Sequence, residues 1–182
     1  MLADISLHIL DIARNSLDAG ASRVEITLCI IDSPSRISFE IRDDGCGMDE
    51  QTCEFALLPG YSTSGLSGRG YGLPSLKEAA LASGGSFVLS SRVGQGTCVN
   101  ASFDSASAAC PPLGDVAQSV LLLITATPDV DFLYRIRHGM QEDSLDTAQL
   151  RGVLGEQYQP MRPELYAYIG DCLQNLSLSL LS

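Results

Sequence analysis

The 182-residue sequence predicts an α+β sandwich: a mixed, mostly antiparallel sheet with helices on one face. Apolar residues recur at helical spacing in some segments and alternate in others. Two pairs of strand-like runs are each joined by a short turn, the signal of hairpins. The elements run helix, hairpin, helix, loop, helix, hairpin, and an order rich in hairpins favours antiparallel pairing covered by helices.

Residues 4–19 form the first predicted helix. Ile5, Ile9, Ile12 and Leu17 share its apolar stripe, while His8, Asp11, Asn15 and Asp18 make a polar one. Gly20 ends it. Runs 23–31 and 36–42 read as strands joined by Asp32-Ser33-Pro34-Ser35. The loop 43–48 leads into a short helix over about 49–57. Residues 59–72 are rich in Gly, Ser and Thr and read as a loop. A helix over 73–82 precedes a second hairpin, 86–92 and 97–103, around Gly94-Gln95-Gly96. Small residues and a Pro pair near 105–114 suggest a boundary. Beyond it, 120–127 and 132–137 read as strands, Asp146-Thr147-Ala148-Gln149 as a capping box for a helix to Leu154, and Pro163 as the start of a last helix. The expected division is a domain over 1–105, a linker over 106–114 and a small α/β appendage over 115–182.

Composition narrows the function classes. Eleven Lys and Arg face 22 Asp and Glu, a net charge of -11, and both sides of residue 110 are acidic. That field repels phosphate backbones and anionic lipid heads, so neither nucleic acid nor a membrane is an expected partner. The start of the chain lacks a basic signal-peptide region, and 120–124 is too short to cross a bilayer. Six cysteines without a CxxC pair, and only two histidines, suggest neither zinc nor a disulfide scaffold. The expectation is a cytoplasmic protein with reduced thiols.

Three clusters carry chemistry. Asp11 and Asn15, four residues apart, point the same way from the first helix. A carboxamide oxygen there can ligate Mg²⁺, and a carboxylate can take a proton from an attacking water or hydroxyl. The same stripe also suits a solvated helix face. Asp43-Asp44-Gly45-Cys46-Gly47-Met48 follows a strand, and its glycines permit positive φ and close backbone approach. Asp43 can accept from an exocyclic amine such as that of adenine, although Asp-Gly also makes ordinary tight turns. Gly68-Arg69-Gly70-Tyr71-Gly72-Leu73 runs into a helix, where exposed N–H groups and the helix dipole suit an anion. It is not a P-loop, because GxxxxGK[ST] is absent.

Taken in order, 11–15, 43–47, 68–72 and 94–97 resemble the N, G1, G2 and G3 boxes of the GHKL superfamily of gyrase, heat-shock chaperone, histidine kinase and MutL. Asn15-Ser16-Leu17-Asp18-Ala19-Gly20-Ala21 is similar to the MutL N-box. The run from Gly68 through Leu73 to Lys77 resembles the G-x-G-x-G-L…K of histidine kinases, and 84–99 resembles their G-G…S…G-x-G-T ending.

The resemblance implies a Bergerat-type α/β sandwich binding ATP and Mg²⁺. It makes Asp11 the catalytic base and Asn15 the metal ligand, and it has Asp43 bind the adenine amine. Gly45, Gly47 and Met48 would shape that pocket and Thr97 would close it. It reads 59–68 as an ATP lid with Thr63 and Ser64 at the nucleotide, and Gly68, Arg69, Gly70, Gly72 and Leu73 at the phosphates. Two departures stand out: Asp11 replaces the Glu of the family's ATPases, and Ser64 replaces the Lys of many lids. The implied activity is ATP hydrolysis or γ-phosphate transfer to a protein partner in a bacterial regulatory system. The alternative is a non-catalytic, ATP-gated interaction module. A DNA-repair or topoisomerase-like clamp is disfavoured by size and charge.

Overall fold

The computed structural model describes residues 4–61 and 70–181. Its sheet has six strands in the order β3-β4-β2-β1-β5-β6. Helix α1 (Ile5–Asp18) starts where the Asp4 side chain accepts from Leu7 N, and Gly20, at φ 74°, turns the chain out of it. Strands β1 (Arg23–Asp32) and β2 (Ser35–Asp43) form the expected hairpin through a turn with a cis Ser33–Pro34 bond. Helix α2 (Glu50–Ala56) is capped by Asp49. Helix α3 (Gly72–Ala82) precedes the hairpin of β3 (Ser86–Arg92) and β4 (Gly96–Asp104), with β4 beside β2.

After residue 110 the strand expected at 132–137, the helix to Leu154 and the helix from Pro163 are present, but one element departs from the sequence expectation. The apolar run 120–127 is not a strand but part of helix α4 (Val116–Ala126). It packs against α1 and α6 (Pro163–Leu181) and buries most of its residues, and because the outward positions Leu122 and Ala126 are themselves apolar the sequence shows no polar stripe. The signal that marks it is Asp115, whose carboxylate accepts from Gln118 N at 2.8 Å, a Ser/Thr/Asp-x-x-Glu/Gln start. Strand β5 (Asp131–His138) then lies parallel to β1, and β6 (Gln141–Asp146), which periodicity does not reveal, pairs antiparallel with β5. Residues beyond 115 thus extend the same sheet and share one apolar core with the rest. Helix α5 (Thr147–Leu154) begins at Asp146, whose side chain accepts from Ala148 N.

Register sorts the side chains. Val24, Ile26 and Leu28 of β1 stand opposite Asp43, Ile41 and Phe39 of β2 on one side, and opposite Phe132, Tyr134 and Ile136 of β5 on the other. All of these face the core. The alternate positions carry charge, with Arg23 bonded to Glu25, Arg42 beside Glu40, and Arg135 and Arg137 both on Glu142. The sequence alternation is therefore that of a sheet covered on one face. Among the described residues, no helix is long and apolar enough to cross a membrane.

One core residue sets a pH dependence. His8 is fully buried and neither ring nitrogen finds a hydrogen-bond partner. Burial lowers its pKa from the ordinary 6.5, against a smaller opposing pull from Asp4. The unfolded chain thus takes up a proton that the folded chain rejects. The stability contributed by neutral His8 is complete above about pH 6.5 and is lost as pH falls toward the depressed value. Urea midpoints at pH 7.5 and 5.5 are expected to fall further in the wild type than in His8→Leu. Equal falls in the two proteins would contradict this.

Candidate functional site

The site is built where the C-terminal half of α1 meets the ends of β2 and β4. Ser16, one residue after Asn15 and on the buried side of α1, donates its hydroxyl to Asp43 Oδ2 at 2.6 Å. The other oxygen of Asp43 accepts from Gly45 N at 2.9 Å and Thr97 N at 3.1 Å. Asp43 is thus a nearly buried carboxylate whose charge is met by three donors from three segments.

The loop after Asp43 is locked to its surroundings by backbone contacts. Cys46 N donates to Ala19 O at 2.9 Å, and Gly94 N donates to Cys46 O at 2.8 Å. Met48 N donates to Ser91 Oγ at 2.8 Å, and that hydroxyl lies 2.9 Å from Thr97 Oγ1. Asp44 fixes the start of β1 by accepting from Ser22 N and Arg23 N, both at 2.8 Å. Burial alone would raise its pKa, but the bonds from Ser22 and Arg23 outweigh that and lower it.

Glycines are required where chains touch. Gly47, at φ 65°, lies so close to the β3–β4 turn that a Cβ would collide with the Arg92 carbonyl. Gly47→Ala is therefore expected to destabilise the fold by about 2–3 kcal/mol. Gly94→Ala, at φ 73° but with open space around it, should cost only about 1–2 kcal/mol of left-handed strain. Chemical denaturation of both variants checks the ranking; equal losses would mean that the contact with Arg92 is irrelevant.

Helix α3 supplies the other wall. Its first residue, Gly72, sits directly against Asp11, and a Cβ there would strike Asp11 Oδ2 and come within 3.9 Å of Asn15 Nδ2. The N-cap residue, Tyr71, makes no side-chain capping bond to this helix. Leu73 packs on the core. Gly60 N donates to Gly70 O at 3.0 Å, which ties together the two ends of the intervening segment. Gly70 has φ 96° and abuts Tyr61. Thr63, Ser64, Gly68 and Arg69 lie outside the described residues.

The fold thus gathers Asp11, Asn15 and Gly72 on one side and Asp43, Gly45, Gly47, Met48 and Thr97 on the other, joined by the Ser16–Asp43 bond. Over residues 3–107 the chain matches the family model described as histidine kinase-, DNA gyrase B-, and HSP90-like ATPase. The chain belongs to this ATPase family.

Its sheet and helices follow the family's Bergerat-type architecture. One similar solved structure is the N-terminal domain of a DNA repair protein, at TM-score 0.57 and 17% identity. That match covers 80% of this chain and 53% of the other, so the chain spans about half the length of that domain. Another is the ADP-complexed ATPase domain of Aquifex aeolicus MutL, at TM-score 0.49 and 16% identity, covering 87% of this chain and 70% of that one. No curated protein gives a significant match. Within the GHKL fold, sequence motifs point to Asp43 and Thr97 but not to their supports: Ser16, Ser91 and Gly96, where a Cβ would strike the Asp43 carbonyl. Each of these nonetheless lies inside or beside a motif: Ser16 follows Asn15, and Ser91 and Gly96 belong to the 84–99 run.

Proposed function

We propose that this chain binds ATP with Mg²⁺ between α1, α3 and the ends of β2 and β4, and that it cleaves the γ-phosphate. The observation that carries the reading is that adjacent residues of one helix serve both halves of the site. Ser16 holds Asp43, while Asp11 and Asn15 overlook the start of α3, whose N-cap Tyr71 makes no side-chain bond. In an ATPase-family domain this arrangement suits a base at one end and phosphates at the other.

Asp43 reads the adenine amine, because its carboxylate can only accept and a base lacking that donor leaves it unmatched. Gly45, Gly47 and Met48 line that pocket and Thr97 closes it. The N–H groups at Gly70, Gly72 and Leu73 suit phosphate oxygens through the helix start, and Thr63, Ser64, Gly68 and Arg69 would complete that wall. Asn15 offers an exposed carboxamide oxygen. Among the described residues no group of three or more His, Cys, Asp or Glu could hold a metal. A Mg²⁺ ion at Asn15 therefore suits the mode in which one protein ligand is completed by phosphates and water. When bound, the ion neutralises phosphate charge that the acidic chain would otherwise repel. Asp11 takes the proton from the attacking oxygen, whether of water or of a protein hydroxyl.

Incubation with Mg²⁺ and γ-labelled ATP, with and without cell lysate, tests this. Free phosphate identifies an ATPase and a labelled protein identifies a kinase acting on a partner. Saturable binding with intact ATP would replace cleavage with the gated, non-catalytic module. Absence of binding would remove the nucleotide reading altogether.

A further inference from the structure

The two edges of the sheet are built differently. Strand β6, with sequence Gln-Glu-Asp-Ser-Leu-Asp, closes one side with charge, a common guard against pairing with another chain. Strand β3, on the other side, reads Ser-Phe-Val-Leu-Ser-Ser-Arg and has neither charge nor proline before Arg92. Its register with β4 runs unbroken from Ser86–Ser102 to Arg92–Gly96, so no bulge twists the edge away.

The outer side of β3 is unfilled. Ser86 N faces β4, donating to Ser102 Oγ at 3.0 Å, so alternation along the strand turns the N–H and C=O of Phe87, Leu89 and Ser91 outward. Among the described residues, no group bonds to those outward backbone atoms. Phe87 and Leu89 point to the core beside Ala101 and Val99, yet they stay half-buried where those two are enclosed. Val88, on the opposite face, is 57% exposed although helix α2 packs near β3. One further strand would pair the backbone and bury Phe87 and Leu89 together.

Charge selects the occupant. Residues 55–103 carry Arg69, Lys77 and Arg92 against Glu78, a net +2, whereas the remaining residues hold 8 basic and 21 acidic groups, a net -13. Two copies therefore repel over most of their surfaces and meet the least resistance at β3. The strand is also self-complementary. Antiparallel pairing centred on Val88 sets Phe87 of each copy opposite Leu89 of the other, with outward backbone groups facing each other. Arg92 then falls opposite Gly84, and the two arginines stand about 27 Å apart, well beyond the screening length of about 8 Å.

We propose that the edge of β3 is an interaction surface for a second copy of this chain, joined antiparallel about a two-fold axis at Val88 so that the six-stranded sheet is doubled. An isologous pairing of this kind closes at two copies. The contact is smaller than the roughly 800 Å² per partner of a standard interface, so the dimer is a reversible one.

Sedimentation equilibrium of the full chain without nucleotide, over about 5 to 500 µM, makes the test. The wild type is expected to pass from monomer to dimer and no further. Val88→Lys sets two ammonium groups opposite each other at an exposed position, and should raise the dissociation constant roughly 5- to 10-fold with the fold intact; Val88→Glu should do the same. An equimolar mixture of these variants should regain dimers, because Lys then faces Glu. Val153→Lys, on the exposed side of α5, should change nothing. Hydrogen exchange needs no variant: higher concentration should slow the Phe87, Leu89 and Ser91 amides and leave those of Val88 and Ser90 as they are. A wild type that stays monomeric throughout overturns the proposal and leaves the edge to a strand of another protein. Growth past two copies, as β3 meeting β6 would give, also overturns it. So does a dimer that Val88→Lys leaves unchanged, or a mixture that fails to reassociate.

Discussion

Asp43→Asn is expected to lower ATP affinity on the order of 10- to 100-fold while the protein stays folded. Asp43 is 8% exposed, and its carboxylate takes bonds from Ser16, Gly45 and Thr97. Asparagine keeps one oxygen for the two backbone donors, and the Ser16 hydroxyl can turn to accept from the new amide. What is lost is an ionised acceptor for the adenine amine. A hydrogen bond to a charged group contributes about 1.5–3 kcal/mol, and that converts to the stated range. Calorimetric titration with ATP, beside a thermal melt showing intact folding, makes the measurement. Unchanged affinity would count against the nucleotide pocket itself.

The second large effect falls on turnover rather than on binding. Asp11→Asn preserves shape, so its packing over Gly72 is retained, but the amide cannot take a proton. General-base catalysis contributes about 100- to 10,000-fold, and phosphate release is expected to fall within that range with KM altered only a few-fold. A comparable loss in KM would mean that Asp11 acts in binding. Equal rates would remove it from the mechanism.

The two variants probe residues that were legible in the sequence for different reasons. Asp11 and Asn15 stand out because a helix places i and i+4 together, a purely local rule. Asp43 stands out because it ends a strand just before a Gly-x-Gly turn. Its supports were less visible. Ser16 looks like any small helix residue until α1 is laid on the sheet and the hydroxyl reaches Asp43 across 27 positions. Likewise, Gly47 reads as a turn glycine, whereas its strictest constraint is the Arg92 carbonyl from another hairpin.

The run at 120–127 shows where local reasoning fails. Val-Leu-Leu-Leu-Ile has no polar break, because even its outward position, Leu122, is apolar, and strand and buried helix look alike in such a run. Strand β6, with sequence Gln-Glu-Asp-Ser-Leu-Asp, is a charged edge that carries no apolar alternation at all.

By itself, then, the sequence determined the α+β class, both hairpins, the helices with readable caps and the candidate nucleotide residues, since periodicity, turns and glycine motifs act over a few residues. Tertiary structure alone decided that β5 lies parallel to β1, that residues beyond 115 join the same sheet, and that Ser16 clamps Asp43. Those outcomes depend on which distant surfaces bury each other, and the free energy of burial carries no local signature in the chain.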